Sequence, residues 1–372
     1  MNEEASMYQI DFQHPVHIYF IGIGGISMSG LAEILRTENF QVSGSDRAPS
    51  DLTHTLEAQG IKVLYGQKEE NITPDIDLIV YTSAIRPDNP ERVAADRLHI
   101  PMLTRAQLLG QMMKNYKTPI AISGTHGKTT TTSMVSEILL ENGSDPTLSI
   151  GGIYKTIGGN IRVGGSDVFV TEACEYTNSF LSFFPKIGII LNIEEDHLDF
   201  FKDLQDIRSS FHKFAALLPE DGALIINRDI DHWEEIASGL SCRVITYGST
   251  AEADYSPSDI TYDEFGHPTF HLMRKGGKEE SFTLRVPGIH NVYNAMAAIA
   301  LADLLAIDDE ITRKALLSFE GTDRRFEYKG KVNGFTIIDD YAHHPTEITA
   351  TLTAAANYPH KKLWCVFQPH TY

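Results

Sequence analysis

The sequence predicts an α/β protein of doubly wound parallel sheets, in three segments covering residues 1–117, 118–320 and 321–372. Three observations predict it. Short apolar strands alternate with helical stretches along most of the chain, the pattern of parallel strands joined by crossover helices. Two of these strands run straight into glycine-rich turns that open helices, one at Gly22 and one at Gly124. The 372 residues exceed what a single compact core holds, so two or three domains follow.

The first segment opens with an apolar strand over 16–23, a glycine turn, and a helix through Leu31 and Leu35. Further strands are expected at 41–45, 61–64, 78–81 and near Pro101. The second segment begins with a strand over 119–123 and a helix over 129–142 that stops at Gly143, a residue suited to the left-handed C-terminal position. Strands at 168–171, 187–191, 223–226 and 243–246 continue the parallel pattern. An antiparallel excursion over 261–286 carries a Gly276-Gly277 turn. A helix rich in small residues covers 291–305, its alanines suited to close approach to a sheet. The third segment offers a strand at 335–339, a helix at 345–357 and a strand at 362–367. That is little for an independent domain, and an incomplete one is expected.

Composition narrows the function. Hydrophobic residues make up 42%, enough for folded cores and too many for a disordered chain. A net charge of -19 argues against general affinity for nucleic acid or anionic membranes, which reward clustered Lys and Arg. Cys174, Cys242 and Cys365 are widely spaced and odd in number, which makes no disulfide framework and fits a reducing cytoplasm. Residues 1–13 are polar and acidic, without the apolar stretch of a secretory signal. No apolar run reaches the about 18 residues of a membrane helix.

The turn Gly124-Thr125-His126-Gly127-Lys128-Thr129 carries the chemistry. Between a buried strand and a helix, glycines let the backbone approach a phosphate. Successive N–H groups point inward, and the helix N-terminus adds partial positive charge. Lys128 is placed to reach β- and γ-phosphates and the Thr129 hydroxyl to ligate Mg2+. Ile122 stands where the usual phosphate-loop pattern has its first glycine, so the loop is a compact variant. Glu172, with Glu175 just beyond, follows the 168–171 strand. His197 and Asp199 follow the strand ending at Leu191, after the acidic run Glu194-Glu195-Asp196. In open parallel sheets ligands bind beyond the carboxyl ends of strands, so Glu172 and His197 are expected beside the loop as Mg2+ ligands. Imidazole is the less usual of these ligands.

Near the N-terminus, Gly22, Gly24, Gly25 and Ser27 resemble a dinucleotide fingerprint with serine in its last position, and Asp46 ends the second strand, where an acid often meets a ribose hydroxyl. The turn is open to three readings: nicotinamide dinucleotide, another nucleotide diphosphate such as a UDP-sugar, or glycine kept for tight strand–helix packing. His343-His344 has no Cys or His partner at zinc spacing and reads as a loop pair, one member bonding nucleotide or substrate.

Five stretches, GIGGISMSG from Gly22, GTHGKTT from Gly124 through Thr130, TEACE from Thr171 with NIEEDHLD from Asn192, HNVYNA from His290, and DRRF from Asp323 with DDYAHHPTE from Asp339, resemble the Mur ligase family in order and in kind. The histidine inside the loop and the GIGGISMSG opening favour the member that adds alanine. The resemblance implies a three-domain architecture: an N-terminal Rossmann-like domain for a UDP-sugar, a central phosphate-loop ATPase domain, and a C-terminal Rossmann-like domain, here truncated. It implies ATP and Mg2+, with UDP-N-acetylmuramate and L-alanine as substrates in peptidoglycan precursor synthesis. It assigns Lys128 and the loop residues Gly124, Thr125, His126, Gly127, Thr129 and Thr130 to ATP, and Thr129, Glu172 and His197 to magnesium. His126 would face the muramate, Asn291 adenine, and Arg324 or Arg325 the ATP. Ser83, with Gly22, Gly24, Gly25, Ser27 and Asp46, would meet the UDP-sugar. Cys174 stands where the family often has an acid. Beyond Tyr372 the family continues with basic residues expected to touch substrate. The rival classes are a nicotinamide oxidoreductase, which leaves Lys128 without a role, and a nucleotide-binding protein without turnover.

Overall fold

The computed structural model describes residues 7–369. The start of the polar N-terminal stretch (1–6) and the last residues of the third segment (370–372) lie outside the described residues. The chain divides into two compact units. One takes the residues up to Lys117 with 161–163 and 179–184; the other takes the rest, so residues 321–369 fall in one unit with the central segment.

The first unit is built from β1 (His17–Ile21), α1 (Ile26–Thr37), β2 (Gln41–Asp46), α2 (Asp51–Ala58), β3 (Lys62–Tyr65), β4 (Leu78–Tyr81), α3 (Pro90–Arg97), β5 (Met102–Thr104) and α4 (Arg105–Met113). The strands are all parallel, in the order β3-β2-β1-β4-β5. The winding reverses between β1 and β4, which opens a crevice beyond their carboxyl ends. Polar caps set the helix starts. Ser50 and Thr104 each form a reciprocal capping box, and Asn89 accepts from Glu91 N ahead of Pro90. Ile18, Phe20, Leu78 and Val80 are fully buried, so the strands read as continuous apolar runs. Glu91 is also fully buried. It accepts hydrogen bonds from Tyr19 (2.8 Å), Ser45 (2.6 Å) and Asn71 (2.7 Å), and thereby ties β1 to β2. Burial, followed by the Glu91 charge, pushes the Tyr19 phenol well above its ordinary range.

The chain continues with β6 (Thr118–Ser123), α5 (Lys128–Glu141), β7 (Thr147–Tyr154), β8 (Gly159–Arg162), β9 (Val168–Ala173), β10 (Ile187–Ile190), α6 (Leu204–Ala215), β11 (Ala223–Asn227), α7 (Trp233–Ala237), β12 (Arg243–Tyr247), β13 (Tyr255–Tyr262), β14 (Pro268–Arg274), β15 (Glu279–Thr283), α8 (Ile289–Leu304) and α9 (Asp309–Ser318), all in the second unit apart from the end of β8. The sheet order is β15-β14-β13-β12-β11-β10-β6-β9-β7-β8, with β6 between β10 and β9. These three strands run parallel, so the segments after them emerge at one edge. The antiparallel excursion is the β13-β14-β15 meander, which turns at Gly276-Gly277. The alanines of α8 are buried at 0–2% exposure. They let α8 lie close against α5, whose inward face carries Thr131, Thr132, Ser133 and Ser136. Ser133 and Ser136 donate to carbonyls four residues back, so part of that polar face is satisfied within the helix.

Three expectations are corrected. The strand predicted at 168–171 runs on to Ala173, so Glu172 projects from the sheet and does not follow it. Strands β7 and β8 extend the sheet where none was predicted; the Gly151-Gly152 pair inside β7 reads as a turn in sequence. In the third segment an antiparallel hairpin, β16 (Glu327–Val332) with β17 (Phe335–Asp339), precedes α10 (Pro345–Ala356), and residues 362–367 form no strand. Among the described residues these belong to no sheet, and they are exposed, Val366 at 99%. Among the described residues no helix is long and apolar enough to cross a membrane.

Candidate active site

The glycine turn of the second unit sits where β6 ends and α5 begins. Gly124 takes φ 145° and Gly127, the residue before the helix, φ 82°. A Cβ would meet Leu191 Cβ at 2.9 Å from Gly124 and Asn294 Oδ1 at 2.7 Å from Gly127, so both conformation and space require glycine. The segment after β10 holds the loop in place. His126 N donates to Asn192 Oδ1 (2.7 Å), Asn192 Nδ2 to His126 O (3.0 Å), Thr125 N to Asn192 O (3.1 Å) and Glu194 N to Thr125 Oγ1 (2.9 Å). Asn192, not singled out from the sequence, thus fixes the loop backbone.

Lys128 heads α5 and donates to the Gly124 and Thr125 carbonyls and to Glu175 Oε2 at 3.0 Å. Burial works to lower the Lys128 pKa. The charge of Glu175, with smaller contributions from Cys174 and Glu172, outweighs it and holds the ammonium above the usual lysine range. Thr129 Oγ1 donates to Glu172 Oε2 at 3.2 Å, and Gly151 N in β7 donates to Glu172 Oε1 at 2.5 Å. Burial raises the Glu172 pKa despite the Gly151 N–H, Lys128 and Thr129. Glu175 is the residue that sequence reasoning placed only as a neighbour, yet it is 2% exposed and directly paired with the lysine. Its signal was its position as the second acid of TEACE.

His197 takes φ 53°. Its ring packs on Tyr176 at 4.5 Å between centroids, and its Nε2 faces Glu175 Oε1 at 3.9 Å. Its other nitrogen, Nδ1, lies 3.8 Å from Asp196 Oδ1, so the ring stands between two carboxylates. Cys174, between the two glutamates, is partly buried.

His126 points away from Lys128 toward the third segment. Its Nδ1 lies 3.1 Å from Glu347 Oε1, its Nε2 3.5 Å from Glu194 Oε2, and its ring stands 4.5 Å from that of His344. Burial acts to lower the His126 pKa, but the two carboxylates push it up to about 9. The Glu347 carboxyl, which burial alone would raise, is held down to about 2 by His126, the His343 N–H and Arg325. His126, Glu194 and Glu347 themselves line a cavity, together with Gly127, Thr130, Asn192, Asn291, Asn294 and Arg325. Arg325 stands 3.8 Å from Glu347. Asn291 donates its amide to Pro287 O and accepts from Asn294. Arg324 instead lays its guanidinium over the Tyr341 ring at 4.7 Å and is not among the cavity-lining residues.

In the first unit, Gly22 (φ 83°), Gly24 and Gly25 form the turn from β1 into α1, Ser27 lies in the first turn of α1, and Ser83 is exposed just after β4. Asp46, at the end of β2, accepts from Gly24 N at 2.8 Å and from Arg47 N at 2.7 Å. The turn, Asp46 and Ser83 thus share the carboxyl edge of neighbouring strands.

A compact phosphate loop on a parallel sheet, with glutamates against its lysine and its threonine, marks a phosphate-handling enzyme, and the chain belongs to the Mur ligase family. The family's models match in order: the Mur ligase family catalytic domain over residues 17–117, the Mur ligase middle domain over 122–302, and the Mur ligase glutamate ligase domain over 324–371. Among its relatives, the UDP-N-acetylmuramate--L-alanine ligase of Agathobacter rectalis is 61% identical over 366 residues, 98% of this chain and 80% of that protein. The enzyme of the same name from Lachnospira eligens is also 61% identical, over 367 residues, with the same coverage. The crystal structure of UDP-N-acetylmuramate-alanine ligase from Thermotoga maritima superposes with a TM-score of 0.77 at 33% identity, covering 92% of this chain and 77% of that one.

Proposed function

We propose that this chain joins L-alanine to the lactyl carboxylate of UDP-N-acetylmuramate at the expense of ATP, in peptidoglycan precursor synthesis in the cytoplasm. The observation that carries the reading is the Lys128-Thr129 pair at the head of α5, flanked by Glu175 and Glu172. The names and identities of the relatives supply the substrates.

A carboxylate resists attack by an amine because it is anionic and lacks a leaving group. Attack of the lactyl carboxylate on the γ-phosphate of ATP gives an acyl phosphate and ADP. The alanine amine, having lost a proton, then attacks that carbonyl, and phosphate departs. The first step gathers negative oxygens, and fixed positive charge from Lys128 and Arg325 lowers its cost. Thr129 and Glu172 fit Mg2+, being two oxygen donors 3.2 Å apart beside a phosphate loop; they would hold it, with His197 as a proposed third ligand, and the ion would neutralise phosphate charge. Thr130, Asn291 and Arg325 are proposed to contact ATP from the cavity and Arg324 from beside it. His126 is proposed to face the muramate, and the Gly22–Ser27 turn, Asp46 and Ser83 the UDP moiety.

The test is phosphate release from ATP with UDP-N-acetylmuramate, with and without L-alanine, and mass detection of the alanyl product. Release that requires both substrates is expected. Absence of muramate-dependent release refutes the reading, and release only with a muramyl peptide reassigns the chain to another branch of the family.

A further inference from the structure

Outside the phosphate-bearing end of the loop, three potential metal ligands from distant parts of the chain converge. His126 comes from the loop, Glu194 from the segment after β10, and His344 from the residue that caps α10. One ligand atom from each lies within 4.8 Å of the others. His126 Nε2 is 3.5 Å, and His344 Nδ1 3.9 Å, from the same oxygen, Glu194 Oε2. Three ligands on one tetrahedral ion with bonds of about 2.0–2.1 Å stand about 3.4 Å apart, and both observed contacts to Glu194 Oε2 are close to that spacing.

What the far sides of the two imidazoles do points the same way. His126 Nδ1 meets the Glu347 carboxylate at 3.1 Å, and His344 Nε2 meets the Glu195 carbonyl at 3.1 Å. A metal-bound histidine characteristically gives its other N–H to a carboxylate or a backbone carbonyl, which fixes the tautomer and raises the basicity of the ligating nitrogen. Both rings are oriented in that way, with the other nitrogen, His126 Nε2 or His344 Nδ1, turned toward Glu194 Oε2. His126 Nε2 is buried and makes no hydrogen bond within the described residues. His344 Nδ1 caps the start of α10, accepting from Thr346 N at 3.3 Å and closing the capping box with Glu347, and a metal would take over that lone pair.

We propose that His126, Glu194 and His344 form a binding site for Zn2+, with three protein ligands and an open fourth position, that clamps α10 to the phosphate loop. Two imidazoles and one carboxylate suit zinc and are a poor set for Mg2+, which prefers oxygen. The site is separate from Thr129 and Glu172, so zinc and the magnesium of turnover need not compete for the same atoms. Sequence spacing hides it, since the ligands fall at positions 126, 194 and 344 with no short motif among them. It is also independent of the ligase reading, because zinc binding is read without turnover.

The experiment titrates Zn2+ into the whole chain against a chromophoric chelator, with millimolar Mg2+ and ADP present, and repeats it with Co2+ to read the visible bands of four-coordinate cobalt. One zinc per chain and strong cobalt bands are expected. Glu194→Gln and His344→Asn should each weaken zinc at least tenfold; asparagine still caps a helix, so α10 keeps its start. His197→Ala should bind zinc within twofold of the parent. The proposal is overturned if both Glu194→Gln and His344→Asn bind zinc as tightly as the parent, or if His197→Ala alone loses it.

Discussion

The chain builds two glycine turns of the same outline, and they have different electrostatics. Each follows a central parallel strand and opens a helix, β1 into α1 at Gly22 and β6 into α5 at Gly124. In the second, the helix begins with Lys128, whose ammonium is held between carbonyl oxygens and Glu175. In the first, no lysine follows; the helix begins Ile26-Ser27, and the chain's own Asp46 occupies the Gly24 N–H. The glycine pattern alone therefore defines a place where backbone can approach a ligand. We propose that the charge added to it decides whether that place handles a transferring phosphoryl group or only seats a diphosphate.

Removing the charge tests the contrast most strongly. Lys128→Ala should lower kcat for phosphate release by about 10²–10³-fold, the scale of losing one preorganised electrostatic group. Equilibrium binding of UDP-N-acetylmuramate should stay within twofold. If turnover survives, Lys128 does not separate the two turns. The next effect belongs to geometry. Gly124→Ala imposes a side chain on φ 145° and drives a Cβ to 2.9 Å from Leu191 Cβ, and should cost about 1–3 kcal/mol of stability by the strain alone. Thermal melting followed by Trp fluorescence reads this unit, since Trp233 and Trp364 both lie in it.

The first turn should respond in the opposite way. Gly25 has φ -66° and ψ 141°, and a Cβ there finds its nearest atom, Gly22 O, at 3.6 Å. Gly25→Ala should leave stability within about 0.5 kcal/mol. The position is exposed at the mouth of the turn, so the methyl would stand where a diphosphate approaches. The expected result is a roughly tenfold rise in KM for the UDP-sugar, about 1.4 kcal/mol, with KM for ATP unchanged. An unchanged UDP-sugar KM would mean that this glycine serves packing only.

What sequence revealed and concealed follows from range. The loop residues and Glu172 could be singled out because strand, turn and helix are local and the chemistry of Lys-Thr at a helix start is specific, whereas Arg325 was reached only through the family resemblance, as one of the pair Arg324 or Arg325. The parallel core strands were legible because burial on both faces makes them continuously apolar. Strand β16, Glu-Tyr-Lys-Gly-Lys-Val, is polar and half exposed, and carries no such signal. The predicted strand at 362–367 failed for the converse reason: an apolar pattern does not supply the neighbouring backbone that a strand needs. The placing of His126 against Glu194 and Glu347 was concealed because it depends on α10, more than two hundred positions along the chain. A partial clue was the Pro345-Thr346-Glu347 helix start, whose glutamate closes a capping box with His344.

Asp46 gives the smallest effect and the finest test of the contrast. Its place at the end of β2 is one where an acid often meets a ribose hydroxyl; in the structure its Oδ2 braces the turn through Gly24 N, and its Oδ1 accepts from Arg47 N. The two roles separate in substitutions. Asp46→Ala removes the acceptor and should expose the Gly24 N–H at a cost of about 1 kcal/mol, roughly a fivefold acceleration of amide exchange in the turn. Asp46→Asn keeps an oxygen for Gly24 N while losing the charge, and should leave exchange near that of the parent. Amide exchange followed by mass spectrometry distinguishes them. If both variants exchange like the parent, the carboxylate does not brace the turn. If both exchange faster to the same extent, the charge and not the acceptor oxygen holds Gly24, and the first turn depends on electrostatics as much as the second.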